Sequence, residues 1–233
     1  MTSSHEAEVA RRFDALRRRF KPSLAAADYR LRGLLDALGS VRGLLILDLG
    51  CGKGRFARAL VARECRVVGL DLSAAMLAEA ELTQRVRGTA RRLPLKTASF
   101  DGIIAVEMFE HLEYRAQPAV LGEACRILKP GGFLAIVDKN VGSLSARRPW
   151  LPSVLVKRID ERRGLWMYPA RGPVRERWFW PAQLRNELAR WFEHVRIIHL
   201  LSPEEERSWF FRKLPAIRLM TLWLAQRPGG SHV

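Results

Sequence analysis

Short apolar runs alternate with longer amphipathic stretches through the middle of the chain. Residues 44–49 form a nearly continuous apolar run ending at Gly50, a buried-strand pattern, and the periodic stretch 55–63 predicts a helix. Residues 66–70 predict the next strand, and Ser73 can cap a helix running to about position 82. Strand 102–106, helix 118–128 and strand 133–137 follow, the last after the turn Pro130-Gly131-Gly132. Beyond position 180 the pattern predicts a helix over 181–191 and strands over 195–200 and 217–225. Strands alternating with helices imply an α/β fold, a doubly wound and mostly parallel sheet with helices on both faces. No internal repeat or low-complexity tract interrupts this order.

Two segments stand outside the alternation and divide the chain. Residues 1–42 form a helical arm, in which Val9, Phe13, Leu16 and Phe20 make an apolar stripe flanked by Arg11, Arg12, Arg17, Arg18, Arg19 and Lys21. Such a stripe can lie on anionic lipid or pack over a ligand pocket of the same protein. Residues 43–233 form the main domain, with an insertion over 139–181. The chain has 233 residues and a formal charge of +16. The block 43–138 holds 13 Lys and Arg against 11 Asp and Glu, whereas 139–181 holds ten against three. The surplus therefore belongs to the insertion and the arm, not to the core, which weakens a nucleic-acid reading of the charge. Cys51, Cys65 and Cys125 share no close spacing and suit a reducing compartment. No apolar run is long enough to span a bilayer, and His5, Glu6 and Glu8 ahead of Arg11 leave no room for a signal-peptide core. The expected location is cytoplasmic, peripheral on the inner membrane face if the basic surfaces meet lipid.

The segment Ile46-Leu47-Asp48-Leu49-Gly50-Cys51-Gly52-Lys53-Gly54 sits where a strand hands over to a helix. Glycines there let the backbone turn sharply and let a ligand approach bare peptide groups. Asp71, closing the next strand in Gly69-Leu70-Asp71-Leu72-Ser73, can accept both hydroxyls of a ribose. Together with Arg92-Leu93-Pro94-Leu95, Ser99-Phe100-Asp101 and Leu128-Lys129-Pro130-Gly131-Gly132, these segments resemble the class I S-adenosylmethionine-dependent methyltransferases. The resemblance implies a Rossmann-like, seven-stranded, mostly parallel sheet with a C-terminal antiparallel strand. It further implies that Asp48, Gly50, Cys51, Gly52 and Gly54 hold the methionine part of the cofactor S-adenosylmethionine and Asp71 its ribose. Leu72 and Ala90 would flank the adenine, and Glu107 is a further candidate contact. The family often has an acid before that alanine, where this chain has Thr89.

Glu107-Met108-Phe109-Glu110-His111 leaves the carboxyl end of a strand, where doubly wound sheets place ligands. Its wording resembles the ubiquinone-biosynthesis O-methyltransferases, in which this spacing is linked to a divalent metal. If the turn is helical, Glu107, Glu110 and His111 share one face and could ligate Mg²⁺, Mn²⁺ or Zn²⁺. The alternatives are His111 as a metal-free general base, or a purely structural role for all three. The insertion carries Trp150, Trp166, Tyr168, Trp178 and Trp180 among its arginines, candidates for an acceptor-pocket cover. They also suit packing of a small subdomain, a lipid interface or stacking on bases. The sequence thus points to methylation of an oxygen on a small or lipid-linked, hydrophobic or aromatic acceptor. RNA methylation and a catalytically silent cofactor-binding protein are the competing readings, and the oligomeric state is left open.

Overall fold

The computed structural model of the chain describes residues 3–25, 27–166 and 176–229. Along the chain run α1 (Ser4–Leu16), α2 (Tyr29–Leu38), β1 (Leu45–Leu49), α3 (Arg55–Val61), β2 (Arg66–Asp71) and α4 (Ala74–Ala78). Then come β3 (Gln84–Arg87), β4 (Phe100–Val106), α5 (Gln117–Ile127) and β5 (Leu128–Lys139). A hairpin of β6 (Leu144–Ser145) and β7 (Arg148–Pro152) leads to α6 (Ser153–Arg162), α7 (Pro181–Leu188) and β8 (Glu193–His199). The chain closes with α8 (Pro203–Glu206), α9 (Trp209–Lys213) and β9 (Met220–Gln226). Seven strands form one sheet in the order β3-β2-β1-β4-β5-β9-β8. Neighbours from β3 to β5 run parallel, and only β9 is reversed, antiparallel to both β5 and β8. This is the sheet the resemblance implied.

Period-two alternation along the central strands sorts their side chains onto two faces. Ile46, Val67, Ile104, Ala135 and Leu222 pack under α2 and α3 through Leu31, Leu34, Phe56 and Leu60. Leu47, Val68, Ile103, Leu134 and Trp223 pack under α5 and α7 through Val120, Leu121, Leu184 and Leu188. Trp223 is fully buried, and its indole N–H donates to the Pro181 carbonyl at 2.9 Å, tying β9 to the start of α7.

The structure departs from the sequence pattern in two places. β3 was not expected, because three of its four residues are exposed and carry no alternation. α4 stops at Ala78, four residues early, and Leu82 turns inward instead. The Leu82 side chain fills the space a Cβ would need at Gly54 (2.9 Å) and Gly69 (2.7 Å), so these two glycines serve packing. The insertion leaves the end of β5 and returns beside it. Asn140 bridges to Phe179 in parallel, and Phe179 N donates to the Lys139 carbonyl at 2.9 Å.

Candidate active site

A cavity of about 390 Å³ opens along the carboxyl edge of β1, β2 and β4, within the range of roughly 300–1000 Å³ usual for small-molecule sites. Its floor is the turn after β1. Gly50 (φ +77°) and Gly52 (φ +53°) adopt left-handed backbone, and a Cβ on Gly50 would meet Met108 Cγ at 2.3 Å. Gly50 N and Cys51 N donate to the Leu70 carbonyl, which locks the turn onto β2. Asp71 accepts from Gly52 N at 2.7 Å and from Ser73 N at 2.8 Å, so its carboxylate bridges the turn and the start of α4. Burial nevertheless raises its pKa. Asp48 is 3 % exposed and accepts from Ala57 N in the first turn of α3. Burial pushes its pKa up to about 7 against that single hydrogen bond. Asp48, Gly50, Cys51, Gly52, Asp71, Leu72 and Ala90 all line the cavity, whereas Gly54 is not among its lining residues.

The second wall is built by the ends of β4 and β5, which are sheet neighbours. The expected helical face is replaced by a kink. Glu107 takes a left-handed conformation (φ +52°), and only Phe109–His111 forms a short 3₁₀ turn. This geometry wraps both carboxylates around one ammonium. Lys139 Nζ lies 2.7 Å from both oxygens of Glu110 and 3.1 Å from Glu107 Oε1. Arg30 of α2 pairs with the other oxygen of Glu107 and with Asp28. Burial works against the charge of Glu107, but Lys139 and Arg30 override it and hold the group at about 2. Burial raises Glu110, and burial beside Glu110 raises Asp138, which accepts from the Glu110 and Lys139 amides. His111 Nε2 lies 3.4 Å from Glu110 Oε1. Burial, then the charge of Lys139, pulls the imidazole down to about 3, so it is neutral at physiological pH. The place the sequence reading gave to a divalent metal is thus taken by the Lys139 ammonium. Among the described residues, no group of three His, Cys, Asp or Glu side chains is arranged to hold a metal ion.

The roof is α1. His5, Glu6, Val9, Ala10 and Phe13 line the cavity, and the Phe13 ring meets His111 edge-on at 5.0 Å. Asp14 accepts from Ser73 Oγ (2.5 Å) and Ala75 N, and His5 Nε2 donates to the His111 carbonyl at 3.0 Å. Val9, Phe13 and Phe20 of the arm's apolar stripe therefore pack over the pocket.

The tryptophans proposed for the acceptor pocket stand elsewhere. Trp150 and Trp180 are exposed, and Trp166 and Trp178 pack against each other and around Lys157. None of these four lines the cavity, and Tyr168 lies outside the described residues. Among the described residues of the insertion, the cavity receives Lys139 and Glu176. The sequence reading missed Lys139, Arg30 and Glu6. Lys139 had one available signal, since it ends the strand beside β4.

Comparison with known proteins gives a consistent picture. Residues 47–136 match a family described as a methyltransferase domain. A ubiquinone biosynthesis O-methyltransferase of Paracidovorax citrulli is 34 % identical over 146 residues, 57 % of this chain and 60 % of the relative. One from Pseudomonas aeruginosa is 33 % identical over 159 residues, 60 % of this chain and 66 % of the relative. The chain thus spans about three-fifths to two-thirds of the length of these curated relatives. Among solved structures, an S-adenosylmethionine-dependent methyltransferase from Mesorhizobium loti superposes with a TM-score of 0.64 at 23 % identity, covering 86 % of this chain and 99 % of that one. A Haemonchus contortus phosphoethanolamine N-methyltransferase in complex with S-adenosyl-L-methionine gives 0.60 at 19 % identity, covering 86 % and 53 %. These two likenesses speak for the fold.

Proposed function

We propose that the chain, whose residues 47–136 match a methyltransferase domain, is a class I S-adenosylmethionine-dependent methyltransferase that methylates a hydroxyl oxygen on a small aromatic or otherwise hydrophobic acceptor. One observation carries this reading. The glycine turn with Asp71 and the Glu107–Glu110–His111–Lys139 wall line one and the same cavity. The residues present fit the cofactor. A half-buried carboxylate, Asp71, closes β2 where a ribose diol needs an acceptor, and left-handed glycines leave peptide groups uncovered. Leu72, Met76 and Ala90 supply apolar walls suited to a base.

When bound, S-adenosylmethionine supplies an electrophilic methyl group. The chain's residues act on the acceptor. His111, neutral at physiological pH, can accept a hydrogen bond from an acceptor hydroxyl and take its proton as the methyl–oxygen bond forms, when the alkylated oxygen becomes strongly acidic. Lys139 and Arg30 stand on the same wall, where their pairing with Glu107, Glu110 and Asp28 fixes the polar groups that face the acceptor. Phe13 and Phe20 give the roof an apolar lining that excludes water and favours a hydrophobic ring. The ubiquinone biosynthesis O-methyltransferases support a hydroxylated aromatic acceptor, including a lipid-linked one. Exposed Trp150, Trp180 and Trp209 support delivery of such an acceptor from an anionic lipid surface.

The test is methyl transfer from tritiated cofactor to paired catechol and aryl-amine acceptors, with and without an isoprenoid tail. Label is expected in the methyl ethers. His111→Ala is expected to lower kcat by ~10²-fold or more with the KM for cofactor unchanged. Label confined to the amines, or full turnover in His111→Ala, overturns the reading.

A further inference from the structure

The nucleoside end of the cavity holds a carboxylate that the sheet's own loops do not supply. Glu6 of α1 is 6 % exposed and lines the cavity together with Leu72, Ser73, Gly88, Ala90 and Arg91. Its Oε1 accepts from the hydroxyl of Thr89, in the loop that follows β3. Its Oε2 accepts from Ser3 N at 2.8 Å, completing a capping box in which Ser3 Oγ accepts from Glu6 N. A capping glutamate needs only one oxygen for that task. Here the second oxygen is aimed across the cavity roof and fixed by a donor from the opposite rim. Oε2 also faces the Arg91 guanidinium at 3.8 Å, while Oε1, which accepts from Thr89, can accept a second hydrogen bond. Asp71, the other acid at this end, already bridges Gly52 N and Ser73 N at the ribose position.

We propose that Glu6 accepts a hydrogen bond from the exocyclic amino group of the cofactor's adenine, and that α1 thereby makes the site selective for a 6-amino purine. This rests on the cofactor reading given above. Thr89 stands where an acid of the loop itself could do the work, and it instead donates to an acid brought from 83 residues away in sequence. A carboxylate facing a base edge favours an amino group there and repels a carbonyl at the same position, because both would be acceptors. Glu6 is in this sense a positioning residue that also ties the roof to its ligand. Bound cofactor would then hold α1 down from beneath, while Asp14 and His5 hold it at Ser73 and His111.

The test is equilibrium binding of S-adenosylhomocysteine and of its inosine counterpart, which carries a carbonyl at position 6, to the full chain. The wild-type protein is expected to favour the adenosine compound by about tenfold or more, or ~1.4 kcal/mol. Glu6→Gln, whose amide can both donate and accept, is expected to bring the two affinities within about twofold. Restoring an acid in the loop, Glu6→Ala with Thr89→Asp, is expected to recover the preference that Glu6→Ala alone loses. A merely structural cap would shift both affinities together and leave their ratio intact. Unchanged discrimination in Glu6→Gln, with adenosine-compound binding retained, overturns the assignment of Glu6 and leaves the cofactor site standing. Absence of any binding by the folded wild-type protein removes the cofactor reading itself, and the Glu6 assignment with it.

Discussion

Removing Lys139 tests the electrostatic design of the acceptor wall. Its ammonium is 10 % exposed and sits 2.7 Å from both oxygens of Glu110, whose side chain is 2 % exposed, and 3.1 Å from Glu107. In Lys139→Met, Glu107 keeps Arg30, but Glu110 loses the cation that touches both of its oxygens. At an effective dielectric of ~20, a pair about 3 Å apart attracts by roughly 5 kcal/mol before desolvation is counted. Breaking one partner out of such a buried pair costs ~3–5 kcal/mol net, and we expect a loss of that size at pH 7. Glu110 can escape only by protonation, which its raised pKa already favours, so the loss should shrink as the pH falls toward 5. The assay is urea unfolding at pH 5, 7 and 8 of the wild type, Lys139→Met and Lys139→Met with Glu110→Gln. Neutralising Glu110 should recover ~2 kcal/mol or more at pH 7. A single-variant loss below ~1 kcal/mol that is flat across this pH range would refute the reasoning.

Two further outcomes follow from the floor of the cavity. Asp48 titrates near 7 in the folded chain against 3.8 in the unfolded one, so the folded state holds a proton that the unfolded state releases between those values. Stability therefore falls as pH rises through that window, and Asp48→Asn, which does not titrate, should gain on the wild type by ~2–3 kcal/mol between pH 5 and 8 in urea unfolding; an equal gap at both values contradicts the assignment. Gly50→Ala places a methyl 2.3 Å from Met108 Cγ on left-handed backbone. It should cost at least ~1 kcal/mol more in the wild type than in a Met108→Ala background, read from unfolding midpoints, and equal costs would dissociate the turn from the β4 exit.

Local pattern carried the parts of this protein whose causes are local. The run ending at Gly50, the acid Asp71 closing β2 and the segment leaving β4 each announce themselves within about ten residues, and the cavity forms where they converge. The misses have non-local or conformational causes. β3 is a polar edge strand recruited by pairing with β2, so it shows no hydrophobic period. Glu107 enters the left-handed region, which the spacing of Glu107, Glu110 and His111 does not reveal, and the helical face assumed for a metal disappears. Lys139 reaches Glu110 across 29 residues, and Glu6 reaches Thr89 across 83, through strand order and roof packing. Of the readings open for the tryptophans, Trp166 and Trp178 take the packing one, their rings surrounding Lys157 and each other.

Binding of S-adenosylmethionine through Asp71, in the cavity between the glycine turn and α1, is the proposal on which the others rest. Calorimetric titration of S-adenosylhomocysteine into the wild type and Asp71→Ala measures it directly. Saturable one-to-one binding is expected for the wild type, and at least tenfold weaker binding, ~1.4 kcal/mol, for a variant that remains folded. Equal affinity in the two proteins, or no binding by the wild type, would contradict it.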